Sequence, residues 1–381
     1  MTARPVIAVV AGEASGDQLG AALIRALSRL RPQLRFVGVA GPAMREAGCE
    51  SWFDSEELAV MGLAEVLRHL PRIARLKSRL TSRLLDLRPA AYVGIDAPDF
   101  NLRVAPVLRR AGLRTIQYVC PSVWAWRSGR VKTLREACDH VLCLLPFEQP
   151  FLAAAGVPAT FVGHPFADQI DQVADPAPAR CALGLGAGPV VGLLPGSRVG
   201  EVTRLGGDLI AAGALLRTRR ESLELVAPMA SPNVRRLFES QCRSSTVPVR
   251  LVDGRAREVI AASDVVITAS GTATLETMLV GRPMVVAYRF APLTYAVARA
   301  FSLVSARHFA LPNLLADAPL VPELLQSQVT PERLAAEANA FFDNPPRVSA
   351  LRARFSKLHE ELRRDASARA ADAVRAVANI D

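Results

Sequence analysis

Short runs rich in apolar residues punctuate the chain. They fall at residues 6–10, 36–39, 92–95, 115–120, 141–145 and 160–162, and again at 190–194, 223–227, 249–252, 265–268 and 285–288. A strand with one wet face alternates apolar and polar positions. These runs do not alternate, so they predict strands of parallel sheets buried on both faces. Longer amphipathic stretches lie between them, as the crossovers of parallel strands require. The pattern predicts an α/β fold: two Rossmann-like domains of alternating strand and helix, joined near residue 170 and facing a cleft. The expected domains are 1–170 and 171–345, followed by C-terminal helices at 346–381, with few helix breakers after Pro346.

The turns after the strands carry the candidate chemistry. Open α/β sheets place ligands beyond the carboxyl ends of their strands. The stretch Asp-Val-Val-Ile-Thr-Ala-Ser-Gly-Thr-Ala-Thr-Leu-Glu (264–276) reads as strand, small-residue turn and helix. Little side-chain bulk covers the helix start at Ser270, Gly271 and Thr272. Free N–H groups there, with the helix dipole, suit a phosphate or diphosphate. Glu276 lies about one turn further on, where its carboxylate suits neighbouring hydroxyls such as those of a ribose. The other reading is a packed αβ connection. A second strand ends in Pro-Gly-Ser-Arg (195–198), so Gly196, Ser197 and Arg198 form a like turn with a guanidinium able to clamp phosphate oxygens. Asn313, in Leu-Pro-Asn-Leu-Leu-Ala (311–316), is a backbone bonder or a ligand bonder.

In the first half, Glu13 follows the first strand, and Asp96 and Asp99 follow the strand at 92–95. Each of these carboxylates is either a cap for the next helix or a base for an acceptor hydroxyl. Ser15 and Gln18 form a capping-box pattern, which places a helix start near Gly16. Trp124, Trp126 and Arg127 share a loop that lines a cleft or plugs a core. His164 sits in a Gly-His-Pro turn and reads as structural. Residues 58–67 are strongly apolar and include Met61, Leu63, Val66 and Leu67. Pro71 is then expected at the first position of a helix. On it Arg72, Arg75, Arg79 and Arg83 form one stripe, and Ile73, Leu76, Leu80, Leu84 and Leu87 another. This is either a core-facing helix with a solvated basic edge or, with the apolar stretch before it, an interfacial surface for anionic lipid.

Composition narrows the classes. Forty-six basic against 36 acidic residues give a net charge of +10, which suits an anionic substrate or membrane. Aromatic residues are 6% of the chain and do not interleave with basic ones, which argues against nucleic acid. The six cysteines form no Cys-x-x-Cys pair and no zinc-ligand spacing, so reduced, buried thiols of a cytosolic protein are expected. The apolar part of the first ten residues is too short for a signal peptide and reads as a strand. No apolar run approaches a membrane-spanning length. Neither a Gly-x-Gly-x-x-Gly dinucleotide fingerprint, nor a Gly-x-x-x-x-Gly-Lys phosphate loop, nor an Asp-x-Asp metal pair occurs. A nucleotide bound in one half and an acceptor in the other points to a two-domain sugar-nucleotide transferase that needs no metal or cofactor.

Several motifs, in order along nearly the whole chain, then carry a resemblance. They are Val-Ala-Gly-Glu-Ala-Ser-Gly-Asp (10–17), Phe-Val-Gly-Val-Ala-Gly-Pro (36–42), Glu-Leu-Ala-Val-Met-Gly (57–62), Val-Gly-Ile-Asp-Ala-Pro-Asp-Phe-Asn (93–101) and Tyr-Val-Cys-Pro-Ser-Val-Trp-Ala-Trp-Arg (118–127). The second half adds Leu-Leu-Pro-Gly-Ser-Arg (193–198), Ala-Ser-Gly-Thr-Ala-Thr-Leu-Glu (269–276), Pro-Met-Val-Val-Ala-Tyr-Arg (283–289) and the 311–316 motif. As a set they closely resemble the lipid-A-disaccharide synthase family of bacterial glycosyltransferases. Cys120 and Ala14 depart from it, standing where Ser and Thr are expected.

The resemblance implies a GT-B fold and transfer of 2,3-diacylglucosamine from UDP to 2,3-diacylglucosamine 1-phosphate. The product is a β-1,6 disaccharide, formed with inversion and release of UDP. It assigns the base to Asp96, with Asp99 second and Glu13 as the further candidate. Arg198 and the N–H groups at Ser270–Thr272 are expected to hold the diphosphate, Glu276 the ribose, and Asn313 part of the donor. It also implies peripheral docking on the inner membrane through the 58–83 surface, and a homodimer. The alternatives are another UDP-GlcNAc-type transferase or epimerase of the same fold, or a non-catalytic, membrane-associated nucleotide-sugar binder.

Overall fold

The computed structural model describes residues 4–58, 63–121, 129–173, 175–289 and 308–380; within its helices the side chains of 63–70 and 129–130 are not described. The chain divides into two units, residues 1–168 with 362–381, and residues 169–361.

The first unit is built on seven parallel strands: β1 (Val6–Ala11), β2 (Arg35–Ala40), β3 (Cys49–Asp54), β4 (Ala91–Ile95), β5 (Arg114–Tyr118), β6 (His140–Cys143) and β7 (Ala159–Phe161). They lie in the order β3-β2-β1-β4-β5-β6-β7. Successive side chains of a strand point to opposite faces. Ile7, Val9 and Ala11 therefore pack in one core, and Ala8 and Val10 in another. The helices α1 (Ala14–Leu30) and α2 (Pro42–Glu46) belong to this unit, as do α3 (Leu63–Leu87), α4 (Pro98–Arg110), α5 (Gly129–Ala137), α6 (Glu148–Ala154) and the short α7 (Pro165–Gln169). α1 supplies Leu23, Ile24 and Leu27 to the first core; α3 supplies Leu76, Leu80 and Leu84 to the second.

The second unit has six parallel strands: β8 (Val190–Leu194), β9 (Glu224–Met229), β10 (Val249–Asp253), β11 (Val265–Ala269), β12 (Met284–Tyr288) and β13 (Glu323–Leu325). Their order is β10-β9-β8-β11-β12-β13. With them go α8 (Ala177–Leu183), α9 (Val199–Arg219), α10 (Pro232–Cys242), α11 (Ala256–Ala262), α12 (Thr272–Val280), α13 (Leu311–Ala316), α14 (Pro331–Phe342) and α15 (Pro345–Leu362).

Three details differ from the sequence reading. α1 begins at Ala14, two residues before the capping-box start, with Glu13 at the cap and no side-chain cap bond. Pro71 lies inside α3 rather than at its first position; a proline there removes the N–H that would bond to residue 67. The helical tail divides. Its last helix, α16 (Ala366–Ala378), belongs to the first unit, where Ala370, Ala371 and Val374 are fully buried with β1 and α1 residues. Asp168 anchors that return by accepting the N–H groups of Arg364, Asp365 and Ala366 at 3.1, 3.0 and 2.7 Å.

Asp17 is a second anchor of this kind. It is 4% exposed and accepts N–H groups from Gly41, Ala43 and Met44 at 2.9, 2.8 and 3.1 Å, which ties α1 to the start of α2. Asp17→Ala leaves three donors without that carboxylate and is expected to destabilise the first unit by about 3 kcal/mol. All three tryptophans fall within residues 1–168, so fluorescence-monitored urea unfolding reads this unit directly. An unchanged midpoint would contradict the assignment.

Candidate active site

Both sheets reverse their strand order once, and both candidate pockets lie there. Such switch points leave a crevice between neighbouring crossovers. In the second unit β8 and β11 are neighbours, with Leu194 opposite Thr268. The turn 195–198 after β8 and the turn 270–272 after β11 therefore emerge side by side. Together with the end of β9 and the start of α11 they line a pocket of ≈ 440 Å³ that contains Gly196, Ser197, Arg198, Ser270, Gly271, Thr272 and Glu276.

The two helix starts in this pocket are not equivalent. At α9 the N–H groups of Ser197 and Arg198 already donate to one oxygen of Glu201, at 3.1 and 3.3 Å. The Arg198 side chain is 66% exposed and lies 3.7 Å from the same carboxylate. At α12 the backbone N–H groups of Gly271, Thr272 and Ala273 have no acceptor among the described residues, and all three residues line the pocket. Gly271 has φ +151°, a region open to glycine and strained for other residues. Ser270 contributes no free donor: its N–H goes to the Ala287 carbonyl at 3.0 Å and its hydroxyl to the Phe309 carbonyl at 2.9 Å. The open set is thus shifted one residue along from the expected Ser270–Thr272.

Glu276, 17% exposed at its side chain, is held by Arg257 Nε at 3.0 Å. Arg257 carries no sequence signal of its own and was not among the expected site residues. Arg255 lines the pocket with its guanidinium on both oxygens of Glu258, at 2.8 and 2.6 Å. Asn313 lies elsewhere. It is 1% exposed, its amide donates to Val321 O and Glu323 Oε1 at 2.9 and 2.7 Å, and its oxygen accepts Val321 N–H at 2.8 Å. That amide is committed to the chain leading into β13.

In the first unit the switch lies between β1 and β4, with Ala11 opposite Ile95. Glu13 and Asp96 therefore leave adjacent strands two and one residues later. A pocket of ≈ 570 Å³ takes in Glu13, Asp96 and Asp99, with Lys77 of α3 and Arg103 of α4. Asp96 and Ala97 both have left-handed backbone, φ +50° and +40°. The turn is pinned from below: the Asp96 carbonyl accepts Asn101 Nδ2 at 2.8 Å and Gln117 Nε2 at 3.1 Å. The Tyr92 hydroxyl donates to Asn101 Oδ1 at 2.7 Å. A Cβ on Gly12 would stand 2.8 Å from that of Ala97, so only glycine lets the two turns approach this closely.

Neither carboxylate after β4 caps α4 by its side chain; the cap is Ala97, which has none to offer. Burial, and then the charge of Glu13, raise the proton affinity of Asp96 above the usual aspartate range, against a hydrogen bond from Ala97 N–H. A carboxylate so tuned is a better acceptor of a hydroxyl proton near neutral pH. Asp99 is exposed in the first turn of α4.

The remaining candidates separate from these pockets. Arg72, Arg75 and Arg79 are exposed along α3; Arg72 lies 3.5 Å from Glu57, and Arg79 sits over the Phe53 ring at 5.4 Å. Met61 lies outside the described residues, as do Trp124, Trp126, Arg127 and the side chains of Leu63, Val66 and Leu67. Among the described residues no helix is long and apolar enough to cross a membrane. One buried group, Cys120, Cys143 and Glu148, has its ligand atoms within 4.8 Å of one another. Its carboxylate accepts the N–H groups of Leu144 and Leu145 at 3.2 and 3.0 Å, and the bond to Cys120 and burial push the Cys143 thiol far above its usual range. Both features oppose metal binding there.

Known proteins supply the family and the fold. The family model for lipid-A-disaccharide synthetase matches residues 7–377. The lipid-A-disaccharide synthase of Xanthomonas axonopodis pv. citri is 51% identical over 374 residues, covering 97% of this chain and 85% of the relative. That of Xylella fastidiosa is 48% identical over 378 residues, covering 98% of each. Among solved structures, a putative UDP-N-acetylglucosamine 2-epimerase from Listeria monocytogenes superposes with TM-score 0.64 at 14% identity, over 99% of this chain and 96% of that one. The calicheamicin glycosyltransferase gives 0.60 at 17% identity, over 100% and 99%. At such identities the structures speak for the fold: two parallel-sheet α/β units of the GT-B class.

The coupling between Glu13 and Asp96 is open to direct measurement. Glu13 holds the Asp96 pKa up, so Glu13→Gln is expected to lower it. Carboxyl-carbon NMR titration of the two proteins should show Asp96 above the ordinary aspartate range in the first and nearer to it in the second. An Asp96 midpoint that does not move would mean the two groups are not coupled.

Proposed function

The chain belongs to the lipid-A-disaccharide synthase family, and from that premise we propose how its two pockets divide the reaction. It is a glycosyltransferase of lipid A disaccharide synthesis. The donor is UDP-2,3-diacylglucosamine and the acceptor 2,3-diacylglucosamine 1-phosphate. Asp96 takes the proton of the acceptor 6-hydroxyl. That oxygen attacks the anomeric carbon of the donor from the face opposite UDP, the bond to the diphosphate breaks, and the β-1,6 disaccharide 1-phosphate forms with inversion. Asp99 stands by as the second carboxylate, and Glu13 tunes Asp96 by its charge.

The observation that carries the donor half is the row of unspent N–H groups at Gly271, Thr272 and Ala273. Preorganised donors aimed at a leaving diphosphate stabilise the charge that develops on it without reorganising. Arg198 adds a cation, Gly196 and Ser197 shape its turn, and Glu276, steadied by Arg257, accepts from the ribose hydroxyls. Every group the chemistry needs is a side chain or backbone N–H of this chain. Asn313 has no part in the site on this reading, because its amide is fully used within the fold.

Both substrates are acylated, so the protein must meet a lipid surface. Docking on the inner face of the inner membrane is assigned to the basic edge of α3 at Arg72, Arg75 and Arg79, with the apolar stretch that contains Met61, Leu63, Val66 and Leu67. Leu76, Leu80 and Leu84 belong to the core, so among the described residues of α3 the arginine stripe and Leu87 are the exposed groups assigned to this role. A homodimer completes the reading.

Incubation with both substrates should release UDP and form one disaccharide 1-phosphate per UDP; neither product would end the reading. Asp96→Asn is expected to reduce kcat by at least about a hundredfold while UDP binding, followed by calorimetry, is retained. The fold disfavours ionised Asp96, so Asn costs no stability at neutral pH and the variant should melt at or above the parent's Tm. Near-normal turnover would move the base to Asp99 or Glu13. Reversing the charges of Arg72, Arg75 and Arg79 together should release the protein from anionic vesicles in a flotation assay, and unchanged flotation would remove α3 from the membrane contact.

A further inference from the structure

We infer that Lys77 and Arg103 form the clamp for the acceptor's anomeric phosphate, an inference that rests on the transfer reaction proposed above. The first-unit pocket is electrostatically divided. Glu13, Asp96 and Asp99 supply three carboxylates at the strand ends, while Lys77 and Arg103 supply two cations from the helices that wall it. The other described arginines of these helices do not line the pocket. Arg72 faces Glu57, Arg79 and Arg83 lie over Phe53 and Trp52 at 5.4 and 4.6 Å, and Arg109 is on Asp139 at 3.0 Å. Lys77 and Arg103 make no ion pair or side-chain hydrogen bond among the described residues.

Arg103 also makes no ion pair with Asp99, the carboxylate one turn away on its own helix. Asp99 and Arg103 are four residues apart on α4 and share a face. They are offset by about 6 Å along the axis, so α4 presents a carboxylate and a guanidinium to the pocket on successive turns. Ala74 and Lys77 line the same pocket from α3. Three carboxylates repel any anion brought to the strand ends, so a ligand must present a neutral hydroxyl there and its anion to the far wall. A sugar phosphate entering hydroxyl-first satisfies both ends. A neutral sugar would leave both cations without a hydrogen-bonded partner. The pair thus selects the phosphorylated acceptor and fixes which hydroxyl meets Asp96. A guanidinium can hold two phosphate oxygens in plane and an ammonium a third.

The test is discrimination between two acceptors, 2,3-diacylglucosamine 1-phosphate and the same sugar with a free anomeric hydroxyl, at saturating donor. Lys77→Gln, Arg103→Gln, the double variant and Arg103→Lys are compared with the parent. Each Gln substitution should raise KM for the phosphorylated acceptor about tenfold to a hundredfold. The double variant should lose most of the preference for it, with the donor KM held, and Arg103→Lys should recover part. Arg103 is exposed and Lys77 half-buried, so these changes leave the core intact. A double variant that keeps the parental preference overturns the clamp. So does one that keeps the preference but no longer floats with anionic vesicles, which would give these cations to lipid headgroups. A parent that makes no disaccharide from either acceptor fails the transfer reading itself, and the clamp with it.

Discussion

Parallel pairing is the constraint on which the rest depends. A parallel strand cannot be followed by a hairpin, so every strand of a sheet ends at the same edge and hands its chain to a crossover. All the turns after strands are pooled there, and the one place where crossovers diverge is the switch in strand order. In both sheets that switch separates the first strand from a later neighbour: β1 from β4, and β8 from β11. The register sets Ala11 beside Ile95 and Leu194 beside Thr268, so residues far apart in sequence emerge as neighbours. One topology gives two pockets of opposite character, carboxylates in one and open N–H groups in the other. The carboxylates and the open N–H groups both come from the few residues after each strand.

The first pocket is held by strain that buried side chains offset. Two consecutive left-handed residues at Asp96 and Ala97 cost about 1–3 kcal/mol each. Asn101 and Gln117, 0% and 1% exposed, both bond the Asp96 carbonyl, and the Tyr92 hydroxyl orients Asn101. These amides sit on the core side of the turn and are satisfied there. The carboxylate that faces the pocket therefore rides on a backbone fixed from beneath, rather than on a loop free to sample solvent. The same fixation keeps it close to Glu13 and away from water, which is why its proton affinity rises.

The features legible in the sequence were those with a local signature. Apolar-rich runs marked eleven of the thirteen strands among the described residues; the two missed, β3 and β13, are edge strands of mixed or very short sequence. Small residues after a strand marked both phosphate-friendly turns, and all the proposed donor residues but Asn313 meet in one pocket. Features without a local signature were not legible. Leu-Pro-Asn-Leu-Leu-Ala gives no hint that Val321 and Glu323 consume the Asn313 amide. The Ser270 N–H is spent only because β12 lies beside β11. The return of α16 to the first unit depends on Asp168, almost 200 positions earlier. Pro71 looked like a helix start because its missing N–H costs nothing there, yet α3 carries it internally.

The contrast between the two helix starts bears on how the second pocket works. At α9 the carboxylate of Glu201 already occupies the donors that an incoming anion would want. At α12 the donors are open and fixed by the helix itself. An anion binding at α12 displaces no protein bond and orders no side chain, so these donors meet the charge that develops on the diphosphate without reorganising. Arg198 is different. It is largely exposed, close to Glu201, and must give up rotamer freedom to reach a phosphate, at a cost of up to about 2 kcal/mol. That cost is best offset when the charge to be met is greatest, as the bond to the sugar breaks and the diphosphate takes up the electron pair. On the proposed reading both groups stabilise the departing diphosphate, α12 through donors fixed in advance and Arg198 through a cation recruited as the charge grows.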